Sequence, residues 1–167
     1  MSRTLLRALE PEDLEILYQI ENDQELWNVG VTNVPYSRFI LRQYLANNSG
    51  DIYADGQVRL MIEDGEGRVV GIADLVNFDP RNLRAEVGIV IAVPYRRCGY
   101  AMKALSELAD YARRVIHLHQ LYAIVDPSNT ASIALFEKAG YQKTAEMPDW
   151  LFDGHSYRSA SLLQLFL

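Results

Sequence analysis

The alternation of apolar and polar positions divides the chain into short strands and amphipathic helices. Residues 4–9 predict a strand. Pro11, followed by Glu12 and Asp13, opens a helix whose apolar face is Leu14, Leu17, Tyr18 and Ile20. A polar interval with Glu21, Asp23 and Glu25 leads to a second helix that Ser37 can cap, with Phe39, Ile40, Tyr44 and Leu45 available to pack inward. Residues 47–51 end it.

Residues 58–63 and 69–76 flank Asp64-Gly65-Glu66-Gly67 and predict a hairpin, and residues 84–91 add a third strand to an antiparallel meander. Ala101, Ala104, Leu105, Leu108, Ala112 and Val115 then fall on one side of a helix, a stripe suited to covering a sheet. A strand over 120–125 returns through this crossover, so it pairs parallel to the strand ending at Ile91. Residues 126–129 form a turn, 130–139 a helix stopped by Gly140, and strands near 142–147 and 156–166 close a hairpin around Asp153-Gly154.

The junction at residues 85–105 organises the rest. A buried strand runs into a basic glycine loop and then a helix, so several main-chain N–H groups converge where the helix dipole, Arg96 and Arg97 all favour an anion such as a phosphate. The plainer alternative is a strand-to-helix turn in which Gly99 only relieves backbone strain.

The 167 residues suit one domain spanning 1–167, and 49% hydrophobic with 23% charged residues is ordinary globular usage. The longest apolar run, residues 87–93, falls far short of the roughly 20 residues that span a bilayer, and Arg3, Arg7 and Glu10 interrupt any signal-like start. A soluble, cytoplasmic protein without membrane association is expected. Cys98 is the single cysteine, so no internal disulfide forms. A net charge of −6 argues against a nucleic-acid partner and would attract a cationic acceptor, though acidity also serves solubility alone. His117, His119 and His155 offer no ligand set, and no metal is expected.

Three local patterns carry a resemblance that covers nearly the whole chain. Arg96, Gly99 and Ala101 match the spacing of a pyrophosphate loop between strand and helix. Residues 129–141, from Asn129 through Phe136 to Gly140-Tyr141, match a helix that flanks a cofactor. Arg84-Ala-Glu86-Val-Gly88 places a glutamate before the loop, and residues 152–158 match a closing hairpin. The order of elements with these motifs resembles the GNAT acyl-CoA N-acetyltransferase superfamily, and within it the subgroup of spermidine and ribosomal-protein N-terminal acetyltransferases.

The resemblance implies an α/β (α+β) fold with a mixed, mostly antiparallel six- to seven-stranded sheet, about four flanking helices and splayed central parallel strands. It implies acetyl-CoA as co-substrate, with pyrophosphate on the N–H groups of Arg96, Arg97, Cys98, Gly99, Tyr100, Ala101 and Met102. Pantetheine would pair with the main chain of Ile89 and Ile91 and with Asn129, and a main-chain N–H near Ile91 would meet the developing oxyanion. Glu86 would be the general base for direct attack by a primary amine, either a small molecule such as a polyamine or a peptide N-terminus. A glutamate facing solvent or paired with Arg84 is the plainer reading of Glu86.

The chain departs from the family at two places: Arg97-Cys98 stands where glycine and then a basic residue are common, and Phe136 replaces the usual tyrosine acid. An inert acyl-CoA-binding sensor is therefore the alternative function. Trp27, Tyr36 and Trp150 fall in segments that flank the acceptor cleft of similar enzymes, and Glu21, Asp23, Glu25 and Asp149 could draw in a cation. A homodimer or higher homo-oligomer is a family-level expectation.

Overall fold

The computed structural model describes residues 5–23 and 35–167. Seven strands form one sheet in the order β1-β2-β3-β4-β5-β7-β6: β1 (Leu5–Ala8), β2 (Val58–Glu63), β3 (Val69–Asp79), β4 (Arg84–Ile91), β5 (Gln120–Val125), β6 (Gln142–Phe152) and β7 (Tyr157–Phe166). All neighbours are antiparallel except β4 and β5. The helices are α1 (Leu14–Glu21), entered through a 3-10 turn at Pro11–Asp13, then α2 (Arg38–Asn47), the one-turn α3 (Ile52–Asp55), α4 (Tyr100–Tyr111) and α5 (Thr130–Lys138).

Because strand side chains alternate, the sheet has two distinct faces. One carries Ile62, Ala73, Leu75, Ala85, Val87, Leu121, Ala123 and Leu163 and packs in one cluster with Ala104, Leu105 and Leu108 of α4. The other carries Met61 and Ile72, packed with Leu17 and Ile20 of α1 and Leu41 of α2. Two arginine-centred networks tie the second face together: Arg7 binds Asp13 and Glu63, and Arg59 binds Asp74 and Glu21.

Several expectations change. Ser37 does cap α2, its Oγ accepting from the Ile40 N–H at 3.1 Å. However, Phe39 and Ile40 are exposed; the inward stripe is Leu41, Tyr44 and Leu45, at i, i+3 and i+4. Val115 is 63% exposed, because α4 passes into a π turn at Ala112–Ile116. A π turn takes more residues per revolution, so Ile116 replaces Val115 under the helix. The first strand of the closing hairpin extends to Phe152, bulged between Met147 and Leu151.

Candidate functional site

β4 and β5 pair in parallel only at Arg84–Gln120, Ala85–Leu121 and Glu86–Tyr122. Beyond that point each strand stays bonded to its outer neighbour, β4 to β3 as far as Ile91 and β5 to β7 as far as Val125. A gap therefore opens between their carboxyl ends. The Ala92 N–H donates to the Val70 carbonyl at 2.9 Å, which sets the phase of the β3–β4 ladder. Val90 and Gly88 share that phase and turn their main chain toward β3, so Ile89 and Ile91 turn theirs into the gap. The Arg96 Nε closes the end of the gap by donating to the Ile91 carbonyl at 3.1 Å.

The loop beyond the gap begins with a 3-10 turn at Val93–Tyr95 and passes through two left-handed residues, Arg97 (φ 61) and Gly99 (φ 83), before α4 starts. Arg97 thus follows the path a glycine would take, at a steric cost of about 1–2 kcal/mol. Gly99 is the N-cap and brings no side-chain acceptor, so the first N–H groups of α4, from Tyr100, Ala101 and Met102, point out of its start. The Tyr100 ring is buried and meets Tyr95 edge-on at 6.4 Å, anchoring the loop from below. Cys98 is exposed, and its Sγ donates to the Arg96 carbonyl at 3.4 Å.

Asn129 caps α5, its Oδ1 accepting from the Ser132 N–H at 3.2 Å. Phe136 is buried in the core, edge-on to Tyr141 with ring centroids 5.0 Å apart. The Tyr141 hydroxyl is the one buried side-chain polar atom left without a partner among the described residues, and burial raises its pKa.

Glu86 stands on the opposite face, in the last row where β4 and β5 still pair. It is not paired with Arg84, whose Nη2 lies 3.2 Å from Asp79. Instead a Glu86 Oε2 accepts from Asn77 Nδ2 at 2.7 Å. Tyr122, absent from the residues singled out by sequence, is directly across from Glu86, and burial with the charge of Glu86 raises its pKa. Its signal was the polar phase of β5, where Gln120 and Tyr122 alternate with buried Leu121 and Ala123. A cavity of about 230 Å³ lined by Arg84, Gln120, Tyr122, Leu162 and Gln164 adjoins this row. One row further along, Asp74 lies across from Gly88 and is bound by Arg59. Burial works against the Arg59 charge, but Asp74 and Glu21 outweigh it and hold the guanidinium ionised.

The acids expected to attract a cation are therefore not equivalent, since Glu21 is committed to Arg59. Trp150 is 56% exposed on the closing hairpin. Tyr36 is clamped to Asn22 through both its main-chain groups. Glu25 and Trp27 lie outside the described residues. Among the described residues, no cluster of three or more His, Cys, Asp or Glu is placed to hold a metal, and no helix is long and apolar enough to cross a membrane.

Comparison with known proteins agrees with this geometry. The Acetyltransferase (GNAT) domain family matches residues 3–142. The spermidine N(1)-acetyltransferase of Escherichia coli strain K12 is 30% identical over 161 residues, covering 96% of this chain and 84% of the relative. A putative ribosomal N-acetyltransferase of Bacillus subtilis is 30% identical over 154 residues, covering 88% and 82%. Among solved structures, the spermidine N-acetyltransferase of Vibrio cholerae in complex with CoA and spermine superposes with a TM-score of 0.86 at 22% identity, covering 98% of this chain and 95% of that one. The seven-stranded mixed sheet, the parallel strands that part at Glu86 and these matches lead to one conclusion: the chain belongs to the GNAT acetyltransferase family.

Proposed function

We propose that the chain works as one N-acetyltransferase domain over residues 1–167, transferring the acetyl group of acetyl-CoA to a primary amine by direct attack while both are bound. The observation that carries this reading is the parting of β4 and β5 just beyond Glu86, with an uncapped helix start at the same end. That geometry suits a thioester whose amides pair with the main chain of Ile89 and Ile91 and whose pyrophosphate meets the N–H groups from Arg96 to Met102. Acetyl-CoA would supply an activated acyl group on a thiol leaving group. A main-chain N–H near Ile91 would face the carbonyl oxygen as charge builds on it.

The side chains of the other face would handle the amine. A lysine-like ammonium with a pKa of about 10.4 must lose a proton before it attacks, which at pH 7 costs about 4.6 kcal/mol; an α-amino group near 8 costs about 1.4 kcal/mol. Glu86, directly or through water, would accept that proton. The alkyl thiol leaves readily, having a pKa of only about 8.5, so Phe136 in place of a tyrosine does not preclude turnover. The spermidine acetyltransferases among the relatives make a polyamine the first acceptor to try, with a peptide N-terminus next.

Thiol release from acetyl-CoA, screened over polyamines, amino sugars, amino acids and peptide N-termini, tests the reading. We expect stimulation by at least one primary amine. Tight CoA binding with release stimulated by none of them would favour an inert acyl-CoA-binding module instead. The oligomeric state is open to the same preparation: a homodimer or higher assembly is the expectation, read by light scattering.

A further inference from the structure

Between the pairs Val76–Glu86 and Asp79–Arg84 the β3–β4 ladder slips, so that Asn77 and Phe78 of β3 face the single residue Ala85 of β4. This is a β-bulge, a device that re-aims a side chain. Asn77 takes the left-handed conformation, φ 51, which asparagine tolerates better than most residues. The bulge is fixed from behind, because the Phe78 N–H donates to the Gly56 carbonyl at 3.2 Å and the Phe78 ring meets Tyr53 edge-on at 5.0 Å. Its product is one contact: the exposed Asn77 amide donates to Glu86 Oε2 at 2.7 Å.

We propose that Asn77 is a positioning residue for the reaction, holding one oxygen of the Glu86 carboxylate so that the other is presented to the amine. This rests on the role of Glu86 proposed above. A carboxylate on a strand can swing about its terminal torsions, and a donor that occupies Oε2 removes that freedom. Around Glu86 the ionisable groups are Tyr122 across on β5, the Arg84–Asp79 pair beside it, and Asp74 with Arg59 one row further along. Arg84 and Arg59 are each engaged by an aspartate, and the neutral Asn77 amide is the group that donates to the Glu86 carboxylate.

Asn77→Gly keeps access to the left-handed conformation and deletes the amide; Asn77→Asp keeps the shape and sets a second carboxylate against the first. In the full-length enzyme, with acetyl-CoA and the best amine found in the screen, Asn77→Gly should lower kcat about tenfold, the scale of a lost hydrogen bond to a charge. The KM for acetyl-CoA should stay within about twofold of wild type, so the loss falls on kcat. Asn77→Asp, which replaces the donor by a second carboxylate, should lower kcat at least as much as Asn77→Gly. In a Glu86→Gln background, Asn77→Gly should have no further effect on kcat. A wild-type kcat for Asn77→Gly, with Glu86→Gln impaired, overturns this inference alone. Wild-type behaviour of Glu86→Gln overturns the base assignment and this inference together. Melting temperatures of both Asn77 variants separate a folding defect from a positioning one, because Asn77→Asp preserves the volume of the side chain.

Discussion

The two sides of the gap between β4 and β5 are built from different materials. The side assigned to the donor is main chain: the turned-out groups of Ile89 and Ile91, two left-handed residues and the bare start of α4. The side assigned to the acceptor is side chain: Glu86, the Asn77 amide that holds it, Tyr122, and Arg59 with its two carboxylates. A main-chain site tolerates many residues as long as the backbone path survives. A side-chain site fails when a single functional group is lost.

Substitutions can break that contrast. The largest effect is expected from Glu86→Gln, which should lower kcat for a polyamine-like amine by about 100-fold or more, the range of a lost general base, and steepen its pH dependence. The KM for acetyl-CoA should hardly move. Identical rates for mutant and wild type from pH 6 to 9 would sink the assignment. Next comes Gly99→Val. A Cβ added at Gly99 meets nothing within 4 Å beyond its chain neighbours, so the main cost is the strain of φ 83, about 1–2 kcal/mol. Steady-state kinetics should show it as a roughly tenfold rise in the KM for acetyl-CoA with kcat retained; loss of kcat without a change in KM would contradict a main-chain donor site.

A smaller effect concerns stability rather than chemistry. Burial disfavours the charged form of Asp13, yet its hydrogen bonds from Arg7 and from the Glu10 N–H hold its carboxyl below the ordinary range. An unfolded aspartate titrates near 3.9, so this stabilisation is present above that pH and is lost as the pH falls through the lower folded value. Thermal melts from pH 7 to 2 should drop steeply only below about pH 4, and less steeply in Asp13→Asn. The smallest effect is expected at Cys98, whose Sγ makes one long bond to the Arg96 carbonyl. Cys98→Ser should leave the KM for acetyl-CoA within about twofold, the value of a weak neutral contact. Alkylating the wild-type thiol should raise that KM by placing bulk in the loop, and an unchanged CoA affinity after alkylation would remove Cys98 from the donor side.

The same contrast explains what could be read from residues alone. Strand 84–91 and its glycine loop were legible because an apolar run, a turn and a helix start are local signals. The departure at Arg97 left the loop path open, and the structure resolves it with the left-handed conformation. By contrast, the Asn77–Glu86 bond was invisible: the two residues are nine apart, and their meeting depends on a bulge anchored by a one-turn helix that no period announces. Tyr122 faces Glu86 only because of the parallel register. Phe39 and Ile40 looked like core because a short helix with many apolar residues has more than one plausible inner face, and the sheet beneath decides between them.

The π turn at Ala112–Ile116 bears on how such chains accommodate insertions and deletions. Its wide spacing takes up a residue inside the crossover, and His117 then leaves the helix in the left-handed conformation. If one residue were removed there and the helix resumed its regular pitch, β5 would arrive a position out of step. Since strand side chains alternate, Leu121, Ala123 and Val125 would trade faces with Gln120, Tyr122 and Ile124. The core would gain polar groups, and Tyr122 would leave Glu86. Length changes in that turn should therefore be tolerated only when a second change restores the phase of β5, whereas the exposed hairpin tip at Asp153-Gly154 should accept them freely.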